Sequence, residues 1–153
     1  MVTIHHQLAI AAPVSKVYAA IASAEQIGSW WDRQKPLQTP KGLILEHDPG
    51  PEHGTVKLRV VQLLPNRRVE WECVSQHPKT SPASAWTGTR FVFDLSGGDS
   101  PAARFGGDDA DPLTTLDFRQ EGYDEASEFA GFNNFAWAQV LQNLKQTVEA
   151  KPG

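Results

Sequence analysis

Hydrophobic and polar residues alternate with a period of two in several short stretches of this chain. They recur at the helical period in one long stretch at its end. Val2, Ile4, His6, Leu8 and Ile10 alternate with Thr3, His5, Gln7 and Ala9, which predicts a strand with one buried face. His6 falls on that face and His5 on the other. Pro13 stands where a first helical turn tolerates a missing N–H, ahead of an apolar face of Val14, Val17, Tyr18 and Ile21. Ser23 and Gln26 have capping-box spacing and predict a second short helix, which carries Ile27 and stops near Gly28. Trp30 and Trp31 follow, one expected in the core and the other partly exposed.

Residues 32–40 are polar with two prolines and read as a loop. Residues 42–47 read as a strand, and DPGPEHG (residues 48–54) is turn chemistry. Val56, Leu58 and Val60 then alternate with polar neighbours until the phase slips at Val61, which predicts a bulge or the end of the regular stretch. Pro65-Asn66 turns the chain into a second hairpin arm, with Val69, Trp71 and Cys73 on one face and Glu70, Glu72 and Val74 on the other. Residues 76–85 read as another loop. Residues 88–95 form a strand with Phe91, Phe93 and Leu95 on one face, and residues 113–121 form the last strand, broken at Gly122. Between these two, residues 97–112 hold four Gly and four Asp and read as a long, mobile hairpin loop.

The final stretch, residues 129–148, places Phe129, Phe132, Asn133, Ala136, Trp137, Val140, Leu144 and Val148 on one broad stripe at about 100° per residue. A helix of this length, at about 1.5 Å per residue, is a rod of roughly 30 Å that crosses a small domain. Asn133 interrupts the stripe, and a buried amide needs a partner. In the plain reading that partner is backbone or water; in the sharper one it is a ligand in an internal cavity. The whole order predicts an α+β domain, residues 1–153. An antiparallel sheet of about six to seven strands, with two short helices after the first, curves over the long C-terminal helix.

Several strings in this order resemble the START-like (Bet v 1-like, SRPBCC) helix-grip superfamily. They are APVSKVYAAIASAEQIGSWW (residues 12–31), VVQLLPNRRVEWE (60–72), the pair TRFVFDL and TTLDFRQEGY, and WAQVLQNLKQTVEAKPG at the end. Within that superfamily they are similar to the branch named after the activator of the heat-shock-protein-90 ATPase. The resemblance implies an incomplete antiparallel barrel gripping the last helix, with an apolar cavity between. By this mapping and the alternation, the cavity would be lined by His6, Trp30, Trp71, Phe91, Phe93, Phe132, Asn133 and Trp137. The loop around residues 102–111 departs from the compact hairpin the family implies there.

Composition narrows the function. A net charge of -4 offers no basic field for nucleic acid or an anionic membrane. No run reaches the roughly 18 apolar residues that a membrane helix needs. The start lacks the pattern of a signal peptide. Cys73 is the single cysteine, so no disulfide forms within the chain, and a cytoplasmic location is the expectation. Five Trp in 153 residues suit a core or an apolar pocket.

Recognisable site chemistry is sparse, and neither cofactor nor metal is expected. Nucleotide-loop motifs, H-E-x-x-H and C-x-x-C are absent from the sequence. His5 and His6 point to opposite strand faces and cannot share a metal. His47 and His53, with Asp48 and Glu52, read as a solvated turn rather than a weak surface metal site. Cys73 reads as inert packing. Glu70, Glu72, Arg90 and Asp94 read as cross-strand ion pairs on a wet face rather than as ligand-orienting charges.

Three functions follow as expectations. The first is binding of a small apolar or amphipathic molecule in the cavity, with His6 and Asn133 orienting it. The second is a small cyclase- or hydrolase-like enzyme in the same cavity, which needs an acid–base pair where the sequence offers only His6. The third is a chaperone-cofactor-like module with a protein partner or a homodimer, using exposed residues such as Phe135.

Overall fold

The computed structural model describes residues 2–97, 113–124 and 127–150. The strands are β1 (Val2–Ile10), β2 (Lys35–Thr39), β3 (Gly42–His47), β4 (Val56–Leu64), β5 (Arg68–Cys73), β6 (Arg90–Gly97) and β7 (Thr114–Tyr123). The helices are α1 (Val14–Ala22), α2 (Ala24–Ile27) and α3 (Ala130–Glu149), with a short 3-10 helix at Pro82–Trp86. The described strands form one antiparallel sheet in the order β1-β7-β6-β5-β4-β3-β2. Strands β2 to β7 pair as sequence neighbours, and β1 closes on β7, so the first and last strands lie side by side. The architecture is the expected α+β helix-grip, with α3 against the inner face. The predicted Gly/Asp-rich loop lies almost wholly outside the described residues.

Local chemistry explains most of the elements. Pro13 caps α1, and the Ser23 hydroxyl accepts from the Gln26 N–H, 3.4 Å away, at the start of α2. The phase slip at Val61 is a bulge: Val60 pairs with Trp71, while Gln62 pairs with Glu70. Asn66 turns the chain at φ 63°.

Three expectations are corrected. Residues 32–40 are not all loop, because β2 runs through them as an edge strand in which Pro36 faces Leu45. Proline is tolerated on an edge. β2 buries almost nothing, and its one apolar side chain besides proline, Leu37, is 46% exposed, so period-two alternation had nothing to mark. Gly122 does not end β7. At φ +98° it sits in a bulge, since two steps along β1 from Val2 to Ile4 match three along β7 from Tyr123 to Gln120. The added residue moves the inward position from Gly122 to Tyr123, which is fully buried. The third correction is on α3. Its buried line is Asn133, Trp137, Leu141, Leu144 and Val148. Leu141 belongs to it, while Phe132 is 60% exposed.

The two sheet faces differ. Inward side chains of β4 to β7 and of α1, α2 and α3 form one apolar core. The outer face carries an ion-pair ladder: Arg59–Glu72, Arg90–Glu70, Arg68–Asp94 and Arg119 with Asp94, Asp117 and Glu121. These charges therefore turn away from the core, as the wet-face reading holds, although Glu70 itself is buried between Arg68 and Arg90. Two contacts fasten the end of α3 to the β1 edge: Lys145 Nζ donates to the Ala9 carbonyl at 2.8 Å, and Glu149 accepts the Ala11 N–H at 2.8 Å.

Candidate functional site

All five tryptophans converge where α3 crosses the sheet. Trp31 is the hub. Its ring lies 5.1 Å from Trp137, 6.1 Å from both Trp71 and Trp86, and 6.2 Å from Trp30. Trp71 and Trp137 pack on Phe91, and Phe93 and Phe118 extend the cluster. Trp30 is buried and donates its indole N–H to the Ala20 carbonyl, while Trp31 is partly exposed.

A polar cluster sits inside this aromatic one. The buried Gln120 carbonyl oxygen accepts from the Tyr123 hydroxyl at 2.9 Å and from the Trp137 N–H at 3.1 Å. The Gln120 amide donates to Thr89 Oγ1 at 3.0 Å, and that hydroxyl donates to the Trp86 carbonyl. Burial holds the Tyr123 phenol well above its ordinary range, so it stays a neutral donor. The Trp86 indole N–H is buried and closes no hydrogen bond among the described residues.

Beside the cluster, a pocket of about 200 Å³ opens at the N-terminal end of α3. Its apolar walls come from Trp31, Trp86, Val56, Phe132 and Ala136, and its polar groups from Asp32, His47, His53 and Asn133. Asn133 also donates to the Pro82 carbonyl at 3.2 Å, so it ties α3 to the 3-10 helix as well as facing the pocket. A wider, open groove of about 560 Å³ runs along α3 past Ser29, Asn143 and Gln146. Its lining is far more polar.

His47 is the best-defined polar group. The Gln34 amide nitrogen donates to the Asp32 carbonyl at 2.7 Å, so its oxygen faces His47 Nδ1, 3.0 Å away. Nδ1 must then carry the proton, and Nε2 is left as the acceptor. Burial lowers the His47 pKa; Asp32 and Asp48 pull it up without prevailing, and His77 adds to the lowering. Nε2 lies 3.6 Å from an Asp32 carboxylate oxygen. His53 bonds Ser81 Oγ at 2.6 Å and approaches Glu52 at 3.2 Å. His77 donates to the His53 carbonyl at 2.7 Å, which pins the two loops together.

Of the eight residues expected to line a cavity, Phe132 and Asn133 line this pocket. Trp71, Phe91, Phe93 and Trp137 lie behind its walls, packed ring on ring. Trp30 belongs to the groove side. His6 stands apart: half-buried, it lies 6.5 Å from Phe118 and donates to the Asn134 carbonyl at 3.2 Å. His5 is exposed and bonds Asp117 at 2.7 Å.

The expected solvated turn at residues 47–53 is corrected for His47, which ends β3 as a buried residue. Its place in the Leu43, Leu45, His47 alternation carried that signal. Asp32 and His53 come from loops and Trp86 from the end of the short 3-10 helix, where no periodicity marks them. Among the described residues, no group of His, Cys, Asp and Glu is placed to hold a metal ion. Cys73 is buried, and burial raises its pKa, so it is packed rather than nucleophilic.

No family profile and no curated protein sequence matches the chain. Solved structures do. The chain is similar to Aha1 from Colwellia psychrerythraea, solved in solution as a dimer, with a TM-score of 0.74 and 24% identity over 100% of both chains. A Mesorhizobium loti protein superposes with a TM-score of 0.70 at 19% identity, over 99% of this chain and 100% of that one. CalU16 from Micromonospora echinospora superposes with a TM-score of 0.64 at 15% identity, covering 99% of this chain and 76% of the other. The strand order, the paired short helices and these superpositions together define a START-like helix-grip fold.

Proposed function

We propose that this protein binds a small, largely apolar molecule in the pocket at the start of α3, and does so in the cytoplasm. The observation that carries the proposal is the pocket itself: about 200 Å³, walled by aromatic rings, with four polar side chains converging on it. An apolar cavity of about 150 Å³ takes up benzene, so this volume suits a molecule of about one or two rings. Phe132 and Asn133 would touch it, Trp71, Phe91, Phe93 and Trp137 would hold the walls rigid, and His6 and Trp30 would support the frame.

Native mass spectrometry of the protein purified from its own host, before and after denaturation, reads the ligand class directly. A co-purified molecule of that size is the expected result. Titration with toluene, read by tryptophan emission, gives an independent test. Asn133→Leu is expected to weaken binding of a polar-headed ligand by about tenfold, the effect of one hydrogen bond. Ala136→Trp fills the pocket from the helix side and is expected to abolish binding altogether. Unchanged toluene binding in Ala136→Trp places the ligand elsewhere and sinks the proposal.

One further observation favours a second reading. Phe132 and Phe135 stand at the same end of α3, 60% and 66% exposed. The Colwellia protein is a dimer, and a second copy of this chain would cover both rings. Light scattering with size exclusion is expected to show a dimer that Phe135→Ser weakens. A monomer at high concentration removes this reading and leaves the pocket untouched.

A further inference from the structure

We infer that the pocket selects molecules whose apolar ring carries a hydrogen-bond donor, a hydroxyl or an amine, because its polar end presents two facing acceptors with no donor between them. The inference rests on the ligand-binding reading and names the ligand class for the same site. The acceptors are His47 Nε2 and the Asp32 carboxylate, 3.6 Å apart. Neither receives a hydrogen bond from any other described side chain.

The arrangement is enforced by the chain. Gln34 is buried, and its amide can turn only one way while it donates to the Asp32 carbonyl at 2.7 Å. That orientation fixes the proton on His47 Nδ1 and leaves Nε2 as the accepting atom of a residue that lines the pocket. Trp31 holds the imidazole from the side, with ring centres 4.7 Å apart at 66°. Two acceptors facing each other gain nothing from one another. A donor head placed between them bonds to either one, and an ammonium bonds to both. The π faces of Trp31 and Trp86 suit the ring and tolerate a cation. An ether or a carboxylate head would leave His47 Nε2, the buried one of the two acceptors, unpaired, which is costly.

Acidity should switch the preference. Three titratable groups act on His47, namely Asp32 before β2, Asp48 after β3 and His77 in the loop after β5, and His53 in the turn after β3 lines the same pocket. Burial lowers the His47 pKa, so the ring is neutral at pH 8 and gains a proton only on acidification. Once protonated, Nε2 becomes a donor to Asp32, and the gap that the ligand head would fill closes.

The test compares toluene, anisole, phenol and benzylamine by calorimetry and tryptophan emission at pH 8, then at pH 5. In the wild-type protein, phenol or benzylamine is expected to bind about tenfold or more tightly than anisole, the effect of one hydrogen bond. The margin should shrink at pH 5. His47→Phe should remove the preference for phenol, and Asp32→Asn the preference for benzylamine, while toluene binding persists in both. Asp32 is half-exposed, so that variant stays informative if His47→Phe fails to fold. Phenol, benzylamine and anisole binding equally would overturn the donor inference and leave the pocket reading intact. If none of the four probes binds, both fall together.

Discussion

Trp137→Ala is expected to lower the unfolding free energy by about 3–5 kcal/mol, the range for a large aromatic removed from a packed core. The side chain is 2% exposed. Its ring sits 4.5 Å from Phe118, 5.1 Å from Trp31 and 5.6 Å from Phe91, so three elements lose contacts at once. The helix backbone is tied at its far end through Lys145 and Glu149, so the void cannot close by a simple shift of α3. Urea unfolding followed by circular dichroism measures the loss. A change under about 1 kcal/mol would mean that the stripe on α3 packs elsewhere. Trp137→Phe is the companion: it keeps most of the ring contacts and removes only the N–H to Gln120, so it should cost about 1–2 kcal/mol.

Gln120→Leu should destabilise by about 2–4 kcal/mol although the two side chains are close in volume. The polar atoms rather than the size carry the effect. Two donors, the Tyr123 hydroxyl and the Trp137 N–H, share the Gln120 oxygen in the interior, and both would be stranded. Thr89 would lose its donor as well. The distinctive signature is non-additivity. With Trp137→Phe and Tyr123→Phe already in place, Gln120→Leu strands almost nothing and should cost well under 1 kcal/mol. An additive cycle would show that the network is not a unit.

The fold was largely legible because each long element repeats one simple rule. The alternation of Val56, Leu58 and Val60, the slip at Val61 and the capping pair Ser23 and Gln26 are local, and local sterics and hydrogen bonding set them. β2 was illegible for the same reason: an edge strand that buries no face has no pattern to show. The Gly122 bulge hid behind a residue that ordinarily ends strands. A bulge and a break both exploit positive φ, and only pairing with β1 tells them apart.

The candidate site was legible only in part. Phe132 and Asn133 could be placed because helical spacing carries them to one end of α3. His47 lay within reach of the alternation in β3, but its place next to a turn-forming string drew it into the loop. Trp31, Asp32 and Trp86 could not have been placed at the site, since the first two come from an irregular connection and the third from a single 3-10 turn, and the direction of each depends on what packs over it.

From the chain alone came the order of elements apart from β2, the buried faces of most strands, the sign of the net charge and the aromatic richness of the interior, because these depend on residues a few positions apart or on composition. Folding in three dimensions decided that five tryptophans meet at one crossing, that Gln120 serves two of the buried donors, and that Gln34 sets the tautomer of a histidine facing Asp32. Many of those contacts join residues far apart in the chain, such as Trp31 with Trp71 and Trp137. No period or spacing encodes them, and they exist only once the sheet has closed over α3.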